Sequence, residues 1–165
     1  MNTEHLFVFL LLIYMLVNVV TDVKRLITYN KWHLSFLIVF LTISLLQGKN
    51  LIVFLCTGAL ILIIGIIQSK IPGTSLGAGD IKMLVIVSLF LVAIKHESSL
   101  YLIIFILQLG YMFTSLAITS FVKVISFLKN KREWSVEGFK VTKEEVITPE
   151  AIPILISVVI ILIFF

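Results

Sequence analysis

Six apolar blocks separated by polar segments restrict this chain to one kind of solvent. They run approximately over residues 6–20, 34–46, 51–67, 81–94, 100–122 and 151–165. Hydrophobic residues make up 60% of the 165-residue chain, against about half in a soluble domain, and mean hydropathy is +1.18. A soluble core of this size cannot hide so much apolar surface, so the sequence reads as an all-α integral membrane protein of about six transmembrane helices. Several blocks fall short of the ~20 residues that span a ~30 Å hydrocarbon layer. The second, fourth and sixth must recruit flanking residues, thin the bilayer or border a hydrated cavity. Gln47-Gly48-Lys49-Asn50 is a polar turn signal that keeps the second and third blocks apart. The opening Met1-Asn2-Thr3-Glu4-His5 has no basic region, and no small-x-small site follows the first block. That block is expected to stay as a helix rather than be removed as a signal. Without repeats or low-complexity tracts, one membrane domain over 1–165 with no soluble appendage is expected.

The formal charge of +4 does not point to nucleic acid, because the basic residues fall between apolar blocks rather than along one surface. They read as topology signals, with the lipid bilayer as the partner. Of the thirteen Lys and Arg, one set of loops holds eleven: Lys24, Arg25, Lys31, Lys70, Lys82, Lys123, Lys129, Lys131, Arg132, Lys140 and Lys143. The other set holds only Lys49 and Lys95. The positive-inside rule puts the first set in the cytoplasm and both termini outside. Cys56 is the only cysteine, which excludes a disulfide framework or a cysteine zinc site; within its apolar block it reads as a small buried hydrophobe. His5, His33 and His96 fall near different ends and in different loops, so no metal or cofactor is expected. The longest polar stretch, about 123–150, mixes six basic residues with Glu133, Glu137, Glu144, Glu145 and Glu150 and reads as a solvated cytoplasmic loop. Gly138 and Pro149 punctuate it, and Pro149 with Pro153 marks the start of the last helix.

Only two aspartates occur, Asp22 and Asp80, each where an apolar block meets a basic loop on the same predicted face. Each has a local explanation. Asp80 follows Gly77-Ala78-Gly79 and precedes an apolar run, as a helix N-cap does. Asp22 closes the first block beside Lys24 and Arg25, as an interfacial ion pair does. As a pair they say more, since carboxylates near a membrane are costly and mark function. Two carboxylates brought close share one proton near neutrality, which leaves one as base and one as acid. The base can activate water against a peptide carbonyl while the acid protonates the oxyanion and the leaving amine. Gly77 and Gly79 fit this chemistry, because glycine lets a substrate backbone approach. Gly65, in the third block and away from either motif, is expected to serve helix packing. Lys82 is either a partner of the pair or a snorkelling anchor, and Asn30 either orders the Asp22 loop or caps the second helix.

Gly77-Ala78-Gly79-Asp80-Ile81-Lys82-Met83 resembles the Gly-x-Gly-Asp-x-Lys-[Leu/Met] signature of the prepilin peptidase family, the type IV leader peptidases. Asp22-Val23-Lys24-Arg25-Leu26-Ile27-Thr28-Tyr29-Asn30 resembles that family's first motif, with Thr28 and Tyr29 standing where the family has Ile-Pro before the asparagine. Thr148-Pro149-Glu150-Ala151-Ile152-Pro153 is similar, more loosely, to the family's proline-containing approach to the last helix. The resemblance implies a multi-pass aspartic endopeptidase of the cell inner (cytoplasmic) membrane. It would cut the short basic leader from type IV prepilin-like or pseudopilin precursors at the cytoplasmic face. Asp22 and Asp80 would be catalytic, and Gly77, Gly79, Lys82 and Asn30 would support them. Glu144, Glu145 and Glu150 would attract the basic leader. With no cysteine pair, the chain resembles the compact, peptidase-only branch without methyltransferase activity, and the mechanism needs no metal.

Two other classes fit the same residues. A presenilin or signal-peptide-peptidase kind of Gly-x-Gly-Asp protease places its first aspartate inside a helix, whereas Asp22 ends its block. A nonenzymatic assembly factor or small transporter would use the aspartates to bind cations or as structure. Cleavage of a basic-leader prepilin separates these classes, as does solute flux without cleavage.

Overall fold

The computed structural model describes residues 3–70, 76–94, 100–128, 134–136, 139–141 and 146–164. Six α-helices form among them: α1 (Thr3–Arg25), α2 (Asn30–Leu46), α3 (Leu51–Gln68), α4 (Ala78–Ile94), α5 (Leu100–Leu128) and α6 (Ala151–Phe164). Each apolar block becomes one helix. Three helical segments are long and apolar enough to cross a membrane, Glu4–Arg25, Leu51–Gln68 and Tyr101–Leu128. Their outward faces are apolar, with Tyr101 79% and Phe127 83% exposed; surface of that kind marks contact with a membrane or partner.

The turn between α2 and α3 is built as its residues dictate. Gly48 takes the left-handed conformation (φ 65°) that ends many helices. Asn50 then caps α3, its Oδ1 accepting from the Ile52 N–H at 3.0 Å.

Helix α4 is the axis of the bundle. From Ile81 to Ile94 it is buried almost all round, and α1, α2, α3, α5 and α6 all pack on it. At 17 residues, about 26 Å of helix, it is shorter than the three long apolar helices and is enclosed by protein on most of its flanks. Its C-terminal half holds an aromatic cluster, in which the Phe90 ring lies 5.0 Å from Phe40 and 5.9 Å from Phe7. Small residues set the close approaches. A Cβ on Gly65 would come within 2.8 Å of the Ile81 side chain, and one on Gly110 within 3.1 Å of the Ser157 hydroxyl. Gly65 therefore serves packing as expected, but its neighbour Ile81 adjoins Asp80, so it is not remote from the second motif.

Two expectations change. Cys56 is exposed, because α3 buries only the stripe Phe54, Thr57, Ile61 and Gly65 and Cys56 lies off it. The stretch between α5 and α6 is more than a solvated loop. Helix α5 continues to Leu128, and β1 (Trp134–Val136), β2 (Phe139–Val141) and β3 (Val146–Ile147) form an antiparallel sheet in that order. Trp134 pairs with Val141 and Lys140 with Ile147. Aromatic and β-branched residues between charges favour such strands.

Candidate active site

Asp22 belongs to a polar stripe on an apolar helix. Tyr14, Asn18 and Asp22 follow one another at four-residue spacing on α1 and are all buried, the arrangement that places side chains one above another. Lys24 and Arg25 occupy the last turn, where cations complement the helix dipole. Leu26 closes the helix with a φ of 52°, its N–H donating to the Asp22 carbonyl at 2.7 Å. A left-handed leucine costs on the order of 1 kcal/mol, and it turns the chain sharply after the aspartate. Among the described residues neither Lys24 nor Arg25 pairs with Asp22. Arg25 instead donates to the Tyr29 hydroxyl at 2.8 Å.

The turn so produced meets the second motif. A Cβ added to Gly79 would overlap the Thr28 hydroxyl and lie 3.4 Å from the Thr28 Cβ. Gly79 is thus required by its neighbour in the first motif, in addition to any approach by a substrate. Asn30 is the first residue of α2 rather than its cap; that position falls to Tyr29, which makes no side-chain capping bond. The Asn30 Oδ1 instead accepts from Lys82 Nζ at 2.8 Å, so Lys82 is tied to the first motif rather than being a free snorkelling anchor.

Asp80 is the third residue of α4, and Gly77 is the N-cap, its carbonyl accepting from the Ile81 N–H at 3.1 Å. Asp80 Oδ2 accepts from the Gly77 N–H at 2.9 Å, which is what an acid at that helical position does in a capping box. The local reading of Asp80 is therefore half correct: it caps, from inside the helix. The same arrangement brings it within Coulombic reach of Asp22 and of Glu150.

Glu150 is placed differently from a leader-attracting loop acid. It is 2% exposed and forms the N-cap of α6, its carbonyl accepting from the Ile154 N–H. Its carboxylate accepts from Tyr111 Oη at 2.9 Å, Ser115 Oγ at 3.0 Å and Thr148 Oγ1 at 3.2 Å. The next residue carries the link to Asp22: the Ala151 N–H donates to Asp22 Oδ2 at 2.9 Å. A helix N-terminus has unpaired amides of this kind and favours a facing anion. Glu144 and Glu145 lie outside the described residues.

His33, expected in a loop, is buried in α2 and shares a 2.6 Å hydrogen bond with Tyr14. With Asn30 and Lys82 it forms the polar part of the lining of a groove of about 530 Å³ between α2, α3 and α4, otherwise lined by residues such as Leu37, Phe54 and Leu62. Among the described residues no group of three or more His, Cys, Asp and Glu could hold a metal ion.

Sequence reasoning missed Thr28, Tyr111, Ser115, Thr148 and the Ala151 amide. Tyr111 and Ser115, four apart in an apolar helix, carried a readable signal, since polar groups in membrane helices seek partners. The Ala151 amide carried none, because every non-proline residue has one. Comparisons with family models, curated proteins and solved structures return no match.

Proposed function

We propose that the chain is a membrane aspartic endopeptidase that removes short basic leaders from type IV prepilin-like or pseudopilin precursors, with Asp22 and Asp80 as its catalytic pair. The observation that carries this reading is the joining of two distant motifs at one end of the bundle. The only two aspartates sit within Coulombic reach, Thr28 packs on Gly79, and Asn30 bonds Lys82. Neither local explanation, cap or ion pair, accounts for the Thr28–Gly79 packing or the Asn30–Lys82 bond.

In the proposed arrangement all six helices span the cytoplasmic membrane, both termini lie outside and the aspartates face the cytoplasm. One aspartate takes a proton from water as it attacks the scissile carbonyl. The other donates a proton to the carbonyl oxygen. As the tetrahedral intermediate collapses, the first passes the proton it took from water to the leaving amine, and the second recovers its own from the intermediate's hydroxyl. The protein alone supplies both groups. The groove between α2, α3 and α4 begins beside Asn30 and Lys82 and suits the apolar helix that follows a basic leader.

The test uses the purified full chain in lipid with a basic-leader prepilin, read by mass. Cleavage should give a product shortened by the leader. Asp22→Asn and Asp80→Asn should each abolish it while leaving insertion and abundance near normal, because each removes an acid or base. A fully active single variant would exclude that carboxylate, and solute flux without cleavage would favour a transporter.

A further inference from the structure

Glu150 is a further buried carboxylate at the end of the bundle that holds the buried Asp22 and the half-buried Asp80. Glu150 receives hydroxyls from two residues of α5, Tyr111 and Ser115, and one from Thr148. A buried carboxyl is tolerated only where hydrogen-bond partners surround it, and here two of the three hydroxyls come from a neighbouring helix. The turn into α6 is thereby fastened to α5. Thr114, on the same stretch of α5, adds a 3.2 Å bond to the Pro153 carbonyl. Fastened so, the first amide of α6 points at Asp22 Oδ2. A carboxylate at 2% exposure is poorly placed to receive a substrate side chain, yet well placed to fix the residue that follows it.

We infer that Glu150 is a positioning residue for Asp22: by anchoring the start of α6 on Tyr111 and Ser115, it holds the Ala151 N–H against the Asp22 carboxylate. One oxygen of Asp22 is thereby fixed, which orients the other toward the water and the scissile bond. This role rests on the peptidase reading for its effect on catalysis, whereas the anchoring itself can be measured without activity.

The experiment compares the full-length protein with Glu150→Gln, Glu150→Leu and Tyr111→Phe in lipid. Hydrogen exchange is followed in the peptide over residues 148–154, and kcat and KM for leader cleavage are measured separately. Glu150→Gln keeps an acceptor and should retain kcat within a few-fold. Glu150→Leu should speed exchange at Ala151 and lower kcat roughly ten- to hundredfold with KM nearly unchanged, the cost of a misplaced catalytic group. Tyr111→Phe should shift both readouts in the same direction by less, and it keeps the test open if the leucine variant fails to fold. Unchanged Ala151 exchange in folded Glu150→Leu or Tyr111→Phe would overturn the inference. So would a raised KM with normal kcat, which would mean substrate contact instead. If the wild type does not cleave prepilin, the functional reading fails, and the exchange measurement alone decides the anchoring.

Discussion

At the scale of single residues, the two motifs are complementary in volume. Thr28 occupies the space that a side chain at 79 would need, so Gly79→Val should forfeit most activity by pushing the Asp22 turn away from Asp80. The remedy is specific. In a Gly79→Ala background, Thr28→Gly should restore cleavage at least partly, whereas the same change alone should do little. Double-mutant coupling of leader cleavage measures this, and neighbouring residues of this kind typically couple by about 0.5–3 kcal/mol. Simple additivity would mean that Gly79 acts through the substrate rather than through Thr28. The glycine was legible in the sequence as a place needing space; what needed the space was not, because the contact joins positions in separate motifs.

At the scale of elements, α3 rests on α4 through Gly58 and Gly65, seven residues apart and so on one face. Their demands differ. A Cβ at Gly58 would sit 3.7 Å from Val85, an ordinary contact, whereas one at Gly65 would press into Ile81 at 2.8 Å. Gly58→Ala should therefore leave thermal stability in detergent nearly unchanged. Gly65→Val should lower it by about 1–3 kcal/mol, the usual cost of overpacking. It should also reduce cleavage, since Ile81 adjoins Asp80. Equal effects of the two changes would show that α3 can slide on α4. The helices themselves were legible because each apolar run ends at a polar turn. The strands were less so: Trp134, Val136, Phe139 and Val141 are scattered among charges, and without a long run the mixed charge dominates the reading.

At the scale of the whole molecule, the distribution of lysine and arginine predicts orientation. In a Cys56→Ser background, cysteines at positions 31 and 140 should label only from the cytoplasmic side, and one at 49 only from outside. Labelling of position 31 from outside would overturn the proposed orientation with the aspartates on the cytoplasmic face. Lys49 already stands apart from the basic end, bonding the carbonyl of Ala93 in the last turn of α4. The common end of the aspartates was legible from the order of the blocks. The clasp on Asp22 was not, because it arrives from a backbone amide 129 positions away. That distance has a temporal meaning. A ribosome delivers both carboxylates before α5 and α6 exist, so a nascent chain that has made only its first four helices holds an unclasped pair. Under the proposed peptidase reading, its competence to cut would begin only when α6 is in place. Fragments 1–99 and 100–165, made separately, should be inactive apart and recover cleavage when produced together; activity of the first fragment alone would show that the clasp is dispensable.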